Sequence, residues 1–154
     1  MKPEKTIDFH IRKAWQKILR MYNIEAAKHG STMSVGYILL NIDKEGTPST
    51  QLGPKVGIEK SSLSRTLKWM EEQDLIYREQ DPDDRRVIRI CLTEFGQQNR
   101  HISREAVIRF DEKVREKIPA EKLALFVEVI SQITDIAMGE EEGEKQTSWK
   151  GQGQ

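Results

Sequence analysis

The spacing of the hydrophobic residues changes from a period of 3.6 to a period of 2 near Asp74, and this change most constrains the fold. Before it, apolar residues recur at i, i+4 and i+7, which predicts a helix over residues 60–73. After it, residues 76–80 and 86–92 alternate like strands, and the Asp-Pro-Asp-Asp sequence between them is typical of a turn. A helix that leads directly into a β-hairpin predicts a mixed α+β unit. The inward positions of this helix are Leu63, Leu67 and Met70.

Three more helices are predicted before this unit. The first is amphipathic, runs from Thr6 to Ala27 and stops at Gly30, the second starts from a cap at Ser34, and the third is short and starts from a cap at Ser49. Gly57 breaks the chain for only two or three residues before the helix over 60–73. Two short helices joined by a tight glycine turn and followed by a hairpin form a winged helix-turn-helix, whose second helix enters the major groove of DNA in known examples.

Two helices are predicted after the hairpin. Thr93 is placed to cap a long helix, and Pro119 separates this from a last helix that ends at Gly139. The fold class is therefore mainly α with a small β-wing. We expect a single domain over residues 1–139, with the winged helix-turn-helix at about 34–100, apolar dimerisation helices at 6–29 and 101–138, and a disordered acidic and polar tail at 140–154.

The charge balance argues at first against a nucleic-acid partner, because 25 Lys and Arg residues face 25 Asp and Glu residues among 154. The charges are separated along the chain, however: residues 1–30 carry seven basic and three acidic side chains, whereas the tail is acidic. A net charge of zero therefore does not exclude local basic surfaces. With one Cys, no signal-peptide pattern and no apolar run of membrane-spanning length, we expect a soluble cytoplasmic protein without a membrane partner.

The predicted second helix of the motif has a polar face opposite its apolar positions. Short hydroxyl side chains let a helix backbone approach the groove floor, and Arg65 can donate two hydrogen bonds to guanine. The candidate DNA-binding residues on this helix are Lys60, Ser61, Ser62, Ser64, Arg65 and Lys68. An ordinary solvated face has the same pattern, so the helix alone leaves the two interpretations open. Trp69 is interpreted as packing against the preceding helix.

The tip of the predicted hairpin carries three more candidate DNA-binding residues, Asp84, Arg85 and Arg86. Arginine side chains suit the narrow, electronegative minor groove. A bidentate pair with Asp84 would hold the Arg86 guanidinium in one orientation and reduce the entropy lost on binding. The alternative is a surface ion pair across a turn, which stabilises little.

The stretch DPDDRRVIRICLTEFG resembles the wing of the MarR family of bacterial transcription regulators. That wing has Asp-x-Arg near its tip and Leu-Thr-x-x-Gly at the start of the following helix, here Asp84, Arg86, Leu92, Thr93 and Gly96. Residues 50–76 also resemble the helix-turn-helix of the family in length and apolar register, and the resemblance extends over roughly residues 6–138.

The resemblance implies a homodimer, in which the first helix and the last two helices interlock, on a pseudo-palindromic operator in double-stranded DNA. It implies that Arg86 enters the minor groove and that Asp84 orients it. Arg85 leaves open which arginine does so. The family often has Gly where this chain has Asp74.

The resemblance also implies regulation by a ligand. We expect a sequence-specific repressor that is released by a small aromatic or apolar effector, bound in a cleft between the dimer helices and the winged domain. The candidate ligand-binding residues are Phe9, Trp15, Tyr22, Met33 and Tyr37. Ordinary core packing explains the same residues.

Other functions have weaker support. No catalytic motif, metal-ligand spacing or phosphate-binding loop is visible, so we expect no enzyme activity, no metal and no cofactor. Two alternatives stay open: a winged-helix protein–protein module without DNA binding, and a redox-sensing regulator that uses Cys91, whose pKa Arg89 would lower.

Overall fold

A computed structural model describes the backbone of residues 2–150 and the side chains of residues 2–140. After a short 3-10 helix at Pro3–Lys5, the helices and strands follow in the order α1 (Ile7–Ala27), α2 (Met33–Asn41), β1 (Thr47–Pro48), α3 (Ser49–Val56), α4 (Lys60–Glu72), β2 (Ile76–Gln80), β3 (Ile88–Leu92), α5 (Glu94–Lys117) and α6 (Ala120–Lys150). The predicted fold class, mainly α with a small β-wing, is confirmed.

The hydrophobic core of the winged helix lies between α2, α3, α4 and the sheet. The three inward positions predicted for α4 are buried, as are Ile38, Leu52 and Ile90. Gly57 ends α3 in the left-handed conformation, with φ of 66°, which a residue without Cβ adopts at no steric cost. This glycine allows α4 to start three residues later and to cover the same core.

The sheet has three antiparallel strands in the order β1-β3-β2. The hairpin pairs Ile76 with Leu92 and Gln80 with Ile88. Strand β1, whose Thr47 pairs with Ile90 of β3, was not predicted from the sequence. The second wing strand was predicted to start at Arg86, two residues too early, because β3 begins at Ile88.

Two predicted helix starts are wrong by one or two residues. Thr32, not Ser34, caps α2: its Oγ1 accepts a hydrogen bond from the backbone N of Val35 at 3.3 Å. The backbone N–H of Met33, the first residue of α2, has no acceptor within its own helix. It donates to Oδ1 of Asn23 on α1 at 3.0 Å, so a side chain from another helix contributes to the cap. At α3 the cap position is Pro48, and Ser49 is already the first helical residue.

The last helix does not end at Gly139 as predicted but continues to Lys150. The residues that follow Gly139 are mostly Glu and Lys, which are good helix formers, and one glycine in a helix costs only about 1 kcal/mol. The predicted tail lies in part outside the described residues, since residues 151–154 and the side chains after residue 140 are not described. The chain divides into two compact units within α5, between Ile108 and Arg109. The predicted domain limits stay a prediction.

Candidate nucleic-acid interface

The polar face predicted for α4 is displayed on the surface of the winged helix. Lys60, Ser61, Ser64, Arg65 and Lys68 are exposed, and Ser62 is half-buried. The acidic end of the helix contacts the wing: Glu71 accepts a hydrogen bond from Nε of Arg78 on β2 at 3.1 Å. The structure therefore leaves five of the six α4 candidates exposed and Ser62 half-buried, and an ion pair joins the end of the helix to the first wing strand.

A groove of about 460 Å³ runs beside this face. The segment that leads from α1 into α2 forms one wall, and Ser62, Arg65, Thr66 and Trp69 of α4 form the other. Trp69 is 37% exposed, and it shares this groove with the buried Val35 of α2. Trp69 thus lies beside α2 and the segment before it, whereas it was predicted to pack against α3, the helix directly before α4.

The wing tip carries the bidentate pair that the sequence predicts. Nε and Nη2 of Arg86 donate to Oδ1 and Oδ2 of Asp84, both at 3.0 Å, and the backbone N of Arg86 donates to Oδ1 at 3.1 Å. These hydrogen bonds from Arg86 lower the pKa of Asp84 below its ordinary value. The Arg86 side chain is 89% exposed, so its guanidinium is oriented and accessible at once.

The neighbouring Arg85 differs from Arg86. It is exposed, and no residue among 2–140 forms an ion pair with its guanidinium. At the wing tip, therefore, the guanidinium of Arg86 is held by an ion pair and that of Arg85 is not.

A second ion pair, at the base of the wing turn, was missed by the sequence analysis. Nε of Arg89 donates to Oδ2 of Asp81 at 2.5 Å, and Nη1 of Arg89 donates to the carbonyl oxygen of Gly46 at 2.8 Å. Oδ1 of Asp81 accepts the backbone N–H groups of Asp83 and Asp84 at 2.9 and 3.1 Å. These hydrogen bonds lower the pKa of Asp81, and the bond from Arg89 has the largest effect. The available signal was the diagonal cross-strand spacing of Asp81 and Arg89 in the hairpin.

The Leu-Thr-x-x-Gly segment joins the wing to the end of α4. Oγ1 of Thr93 donates to the carbonyl oxygens of Asp74 and Leu75 at 2.5 and 3.2 Å, and it accepts the N–H of Gly96 at 2.9 Å. Thr93 therefore caps α5, as predicted. Asp74 has a positive φ of 58°, which is the conformation for which a glycine is better suited.

A second, larger concavity lies within the first compact unit and shares Ser31 and Thr32 with the groove beside α4. Its volume is about 590 Å³, and α1, α2, the turn between α3 and α4, and α5 all contribute to its walls. Of the residues predicted to bind a ligand, it gathers Trp15, Tyr22, Met33 and Tyr37. Sequence analysis did not include the residues from the turn and α5, such as Val56, Ile58, Ile102 and Ser103.

Phe9, the fifth residue predicted to bind a ligand, does not line this cavity. At 3.6 residues per turn, Tyr22 lies within about 20° of Trp15 on α1, whereas Phe9 lies about 120° from it. Phe9 instead forms an edge-to-face contact with His10, and Nζ of Lys13 lies 5.8 Å from the centre of its ring.

Cys91 is buried on β3, with its Sγ 3.5 Å from Oε1 of Glu79. Burial, followed by the hydrogen bond to Glu79, raises the pKa of the thiol, and the opposing effect of Arg89 is smaller. Arg89 does act to lower this pKa, as expected, but burial and Glu79 outweigh it, so the thiol pKa is raised overall.

Neither a metal site nor a membrane-spanning helix is found among the described residues. No group of three or more His, Cys, Asp and Glu side chains is arranged to hold a metal ion. None of the described helices combines the length and the apolar character needed to cross a membrane.

Comparison with known proteins identifies the class to which this geometry belongs. The model of the MarR family matches residues 32–88, which contain both helices of the motif and the wing tip. The uncharacterised HTH-type transcriptional regulator YdgJ of Bacillus subtilis is 26% identical over 84 residues. That alignment covers 54% of this chain and 51% of YdgJ, so the chain matches about half the length of this relative.

Solved structures share the whole fold at low sequence identity. AbsC, a MarR family regulator from Streptomyces coelicolor, is 22% identical with a TM-score of 0.76, over 90% of this chain and 97% of AbsC. MepR of S. aureus, solved as a DNA complex, is 16% identical with a TM-score of 0.77, over 84% and 97%. CouR from Rhodococcus jostii, solved with p-coumaroyl-CoA, is 22% identical with a TM-score of 0.75, over 84% and 92%.

The winged helix of this chain, residues 32–88, matches the model of the MarR family. Two of these similar proteins, YdgJ and AbsC, are described as regulators of transcription.

Proposed function

We propose that this protein is a sequence-specific DNA-binding transcription regulator, which acts in the cytoplasm as a homodimeric repressor released by a small aromatic or apolar effector. One observation carries the DNA-binding part of the proposal. The polar face of α4 and the guanidinium of Arg86, oriented by Asp84, are both exposed on the same winged helix.

In the proposed complex, α4 lies in the major groove. Arg65 reads a base edge, and the serines and lysines of the same face contact the backbone or bases. The wing places Arg86 in the adjacent minor groove. Because phosphate contacts release counterions, affinity falls steeply as the salt concentration rises.

The proposal of a homodimer is supported by apolar side chains that are exposed in the single chain. On α6, Phe126 is 61% exposed and Ile136 is 68% exposed, and Leu125, Val127 and Val129 are at least half exposed. An apolar surface of this extent is typical of an interface between subunits. A two-fold dimer presents two copies of α4 to half-sites about one helical turn, ~34 Å, apart, so that the operator is a pseudo-palindrome.

The large cavity is the proposed effector site. Trp15, Tyr22 and Tyr37 give it aromatic walls, and hydroxyl groups such as that of Ser103 supply polar contacts. The solved complex of CouR with p-coumaroyl-CoA supports ligand binding within this fold. Since Val56, Gly57 and Ile58 form part of the wall, a bound ligand contacts the turn that sets the position of α4. A ligand that prefers one arrangement of this turn shifts the protein away from the DNA-binding arrangement.

Selection of bound fragments from random double-stranded DNA tests the proposal. We expect the purified protein to enrich a symmetric site of two half-sites, with a Hill-type binding curve for the dimer. A folded protein that enriches no sequence, at low as well as moderate salt, contradicts sequence-specific DNA binding.

The balance of 25 basic and 25 acidic residues favours one other function, a winged-helix module that binds another protein and not DNA. Chromatography on heparin separates the two. A DNA-binding wing and α4 give retention at low salt and release by moderate salt, whereas the protein-binding module passes through.

A further inference from the structure

The carboxylate of Asp81 links the wing turn to the second wing strand. Its Oδ1 accepts the backbone N–H groups of Asp83 and Asp84, and its Oδ2 forms the ion pair with Arg89. One side chain therefore fixes the conformation of the turn and its position on the strand. The Asp81 side chain is only 12% exposed and that of Arg89 26%, so this pair is far less screened by solvent than the Asp84–Arg86 pair at the tip.

Arg89 extends this link to the body of the winged helix. Its Nη1 donates to the carbonyl oxygens of Gly46 and Glu45, in the loop that leads into β1. The loop is itself closed by the hydrogen bond from Gly46 N to the carbonyl oxygen of Asp43 at 2.9 Å, and Asp43 forms an ion pair with Lys55 on α3 at 3.0 Å. The wing turn is thus attached to the helix-turn-helix through a chain of polar contacts.

We propose that Asp81 and Arg89 are positioning residues for the DNA-contacting arginine of the wing. This inference rests on the proposed function. Asp84 holds the guanidinium of Arg86, and Asp81 holds the backbone of Asp84, so the place of Arg86 relative to α4 depends on the partly buried Asp81–Arg89 pair at the base of the turn. Neither Asp81 nor Arg89 touches DNA in this arrangement. Both act by restricting the positions that the wing tip adopts.

Two variants with the same change in charge test the proposal. Asp81→Asn and Asp83→Asn each remove one negative charge from the same turn, but the carboxylate of Asp83 takes no part in the network around Asp81. Electrostatics alone predicts that both variants bind DNA equally or more tightly. We expect Asp83→Asn to follow this rule and Asp81→Asn to bind an A·T-rich duplex at low salt about tenfold more weakly, which corresponds to 1.4 kcal/mol. Equal affinity of the two variants overturns the proposal.

Amide hydrogen exchange measured without DNA tests the positioning role independently of the proposed function. In Asp81→Asn, we expect faster exchange at Asp83, Asp84 and Arg86, with the core amides of Ile38 and Ile76 unchanged. Faster exchange that extends equally to the core amides shows a general loss of stability and overturns the positioning role. If the exchange pattern is as expected but even the wild-type protein binds no DNA, the proposed function fails and the wing architecture stands.

Arg89→Lys is a second variant that keeps every charge. Lysine cannot bond Asp81 and the Gly46 carbonyl at once with the planar geometry of a guanidinium. We therefore expect the same faster exchange in the wing and weaker DNA binding, both smaller than in Asp81→Asn. Wild-type exchange rates and wild-type affinity in Arg89→Lys also contradict the proposal.

Discussion

Gly96 packs directly against the carbonyl oxygen of Leu75, and no side chain fits between them. A Cβ on Gly96 would overlap that oxygen and would also approach the Leu75 carbonyl carbon at 2.9 Å. Leu75 lies between the end of α4 and the start of β2, and its carbonyl accepts hydrogen bonds from both the N–H and the hydroxyl of Thr93. The first turn of α5 is thereby pressed onto the junction between the DNA-facing helix and the wing.

Gly96→Ala should therefore destabilise the protein strongly. The neighbour in the way is backbone rather than a flexible side chain, so the chain must shift at the junction, and we expect a loss of at least about 2 kcal/mol. Urea unfolding followed by circular dichroism measures it.

Gly53→Ala is the matched control, because Gly53 is helical and a Cβ there makes only ordinary contacts, with Cδ2 of Leu63 at 3.4 Å and the carbonyl oxygen of Ile58 at 3.7 Å. We expect its stability to stay within about 1 kcal/mol of the wild type. A Gly96→Ala protein as stable as Gly53→Ala would show that the contact with Leu75 is not tight.

Asp74→Gly should stabilise the protein. Asp74 has φ of 58°, a conformation that costs a residue with Cβ about 1 kcal/mol. It also places a negative charge just beyond the end of α4, where the helix dipole favours a positive one. Asp74→Asn removes only the charge and should gain less than Asp74→Gly. Thermal unfolding measures the stability of both variants. An equal increase in the two would assign the effect to charge alone, and an Asp74→Gly protein less stable than the wild type would contradict the argument.

The sequence was sufficient for the parts of the fold that burial determines. Leu63, Leu67 and Met70 are buried as their spacing required, because a helix with one apolar face has only one way to cover it. The Asp84–Arg86 pair was also predictable, since two residues separated by one position in a turn are brought together by local geometry.

The features that the sequence did not reveal depend on contacts between distant segments. Strand β1 is two residues long and contains Pro48, so its pairing with Arg89 leaves no periodic signal. The Asp81–Arg89 pair requires the register of the hairpin, which a one-residue change in the turn would alter. Phe9 was included among the ligand-binding candidates by its aromatic character, although its position around α1 directs it away from Trp15.

Cys91 should behave as a buried, unreactive thiol. Because burial raises its pKa, the thiolate fraction at neutral pH is lower than that of a free cysteine. We expect slow reaction with a disulfide reagent in the native protein and fast reaction in denaturant, measured by thiolate release. DNA binding should not respond to peroxide. Rapid native labelling, together with a peroxide response that Cys91→Ser abolishes, would support the redox sensor instead.

Two aromatic residues that were both predicted to bind the ligand, Tyr37 and Phe9, allow a test of the proposed effector cavity. Tyr37 lines the cavity and is 45% exposed, whereas Phe9 lies outside it. Tyr37→Ala should weaken binding of a small aromatic probe such as 2-naphthol by about 1 kcal/mol, the contribution of one aromatic contact. Phe9→Ala should leave it unchanged. Calorimetric titration measures both, and an equal loss in the two variants would place the probe elsewhere.

The three arginines of the proposed DNA surface should have separable effects. Arg86→Ala removes an oriented guanidinium from the wing, so it should weaken binding to every sequence by about tenfold, as expected for a charged hydrogen bond. Arg85→Ala should weaken binding less, because nothing in residues 2–140 holds its side chain and ordering it costs entropy. Arg65→Ala should reduce the discrimination between the selected site and a variant with a changed base pair by about 1–3 kcal/mol. Fluorescence anisotropy with the selected and changed duplexes measures all three. If Arg85→Ala weakens DNA binding more than Arg86→Ala does, the pair with Asp84 is not what places an arginine in the groove.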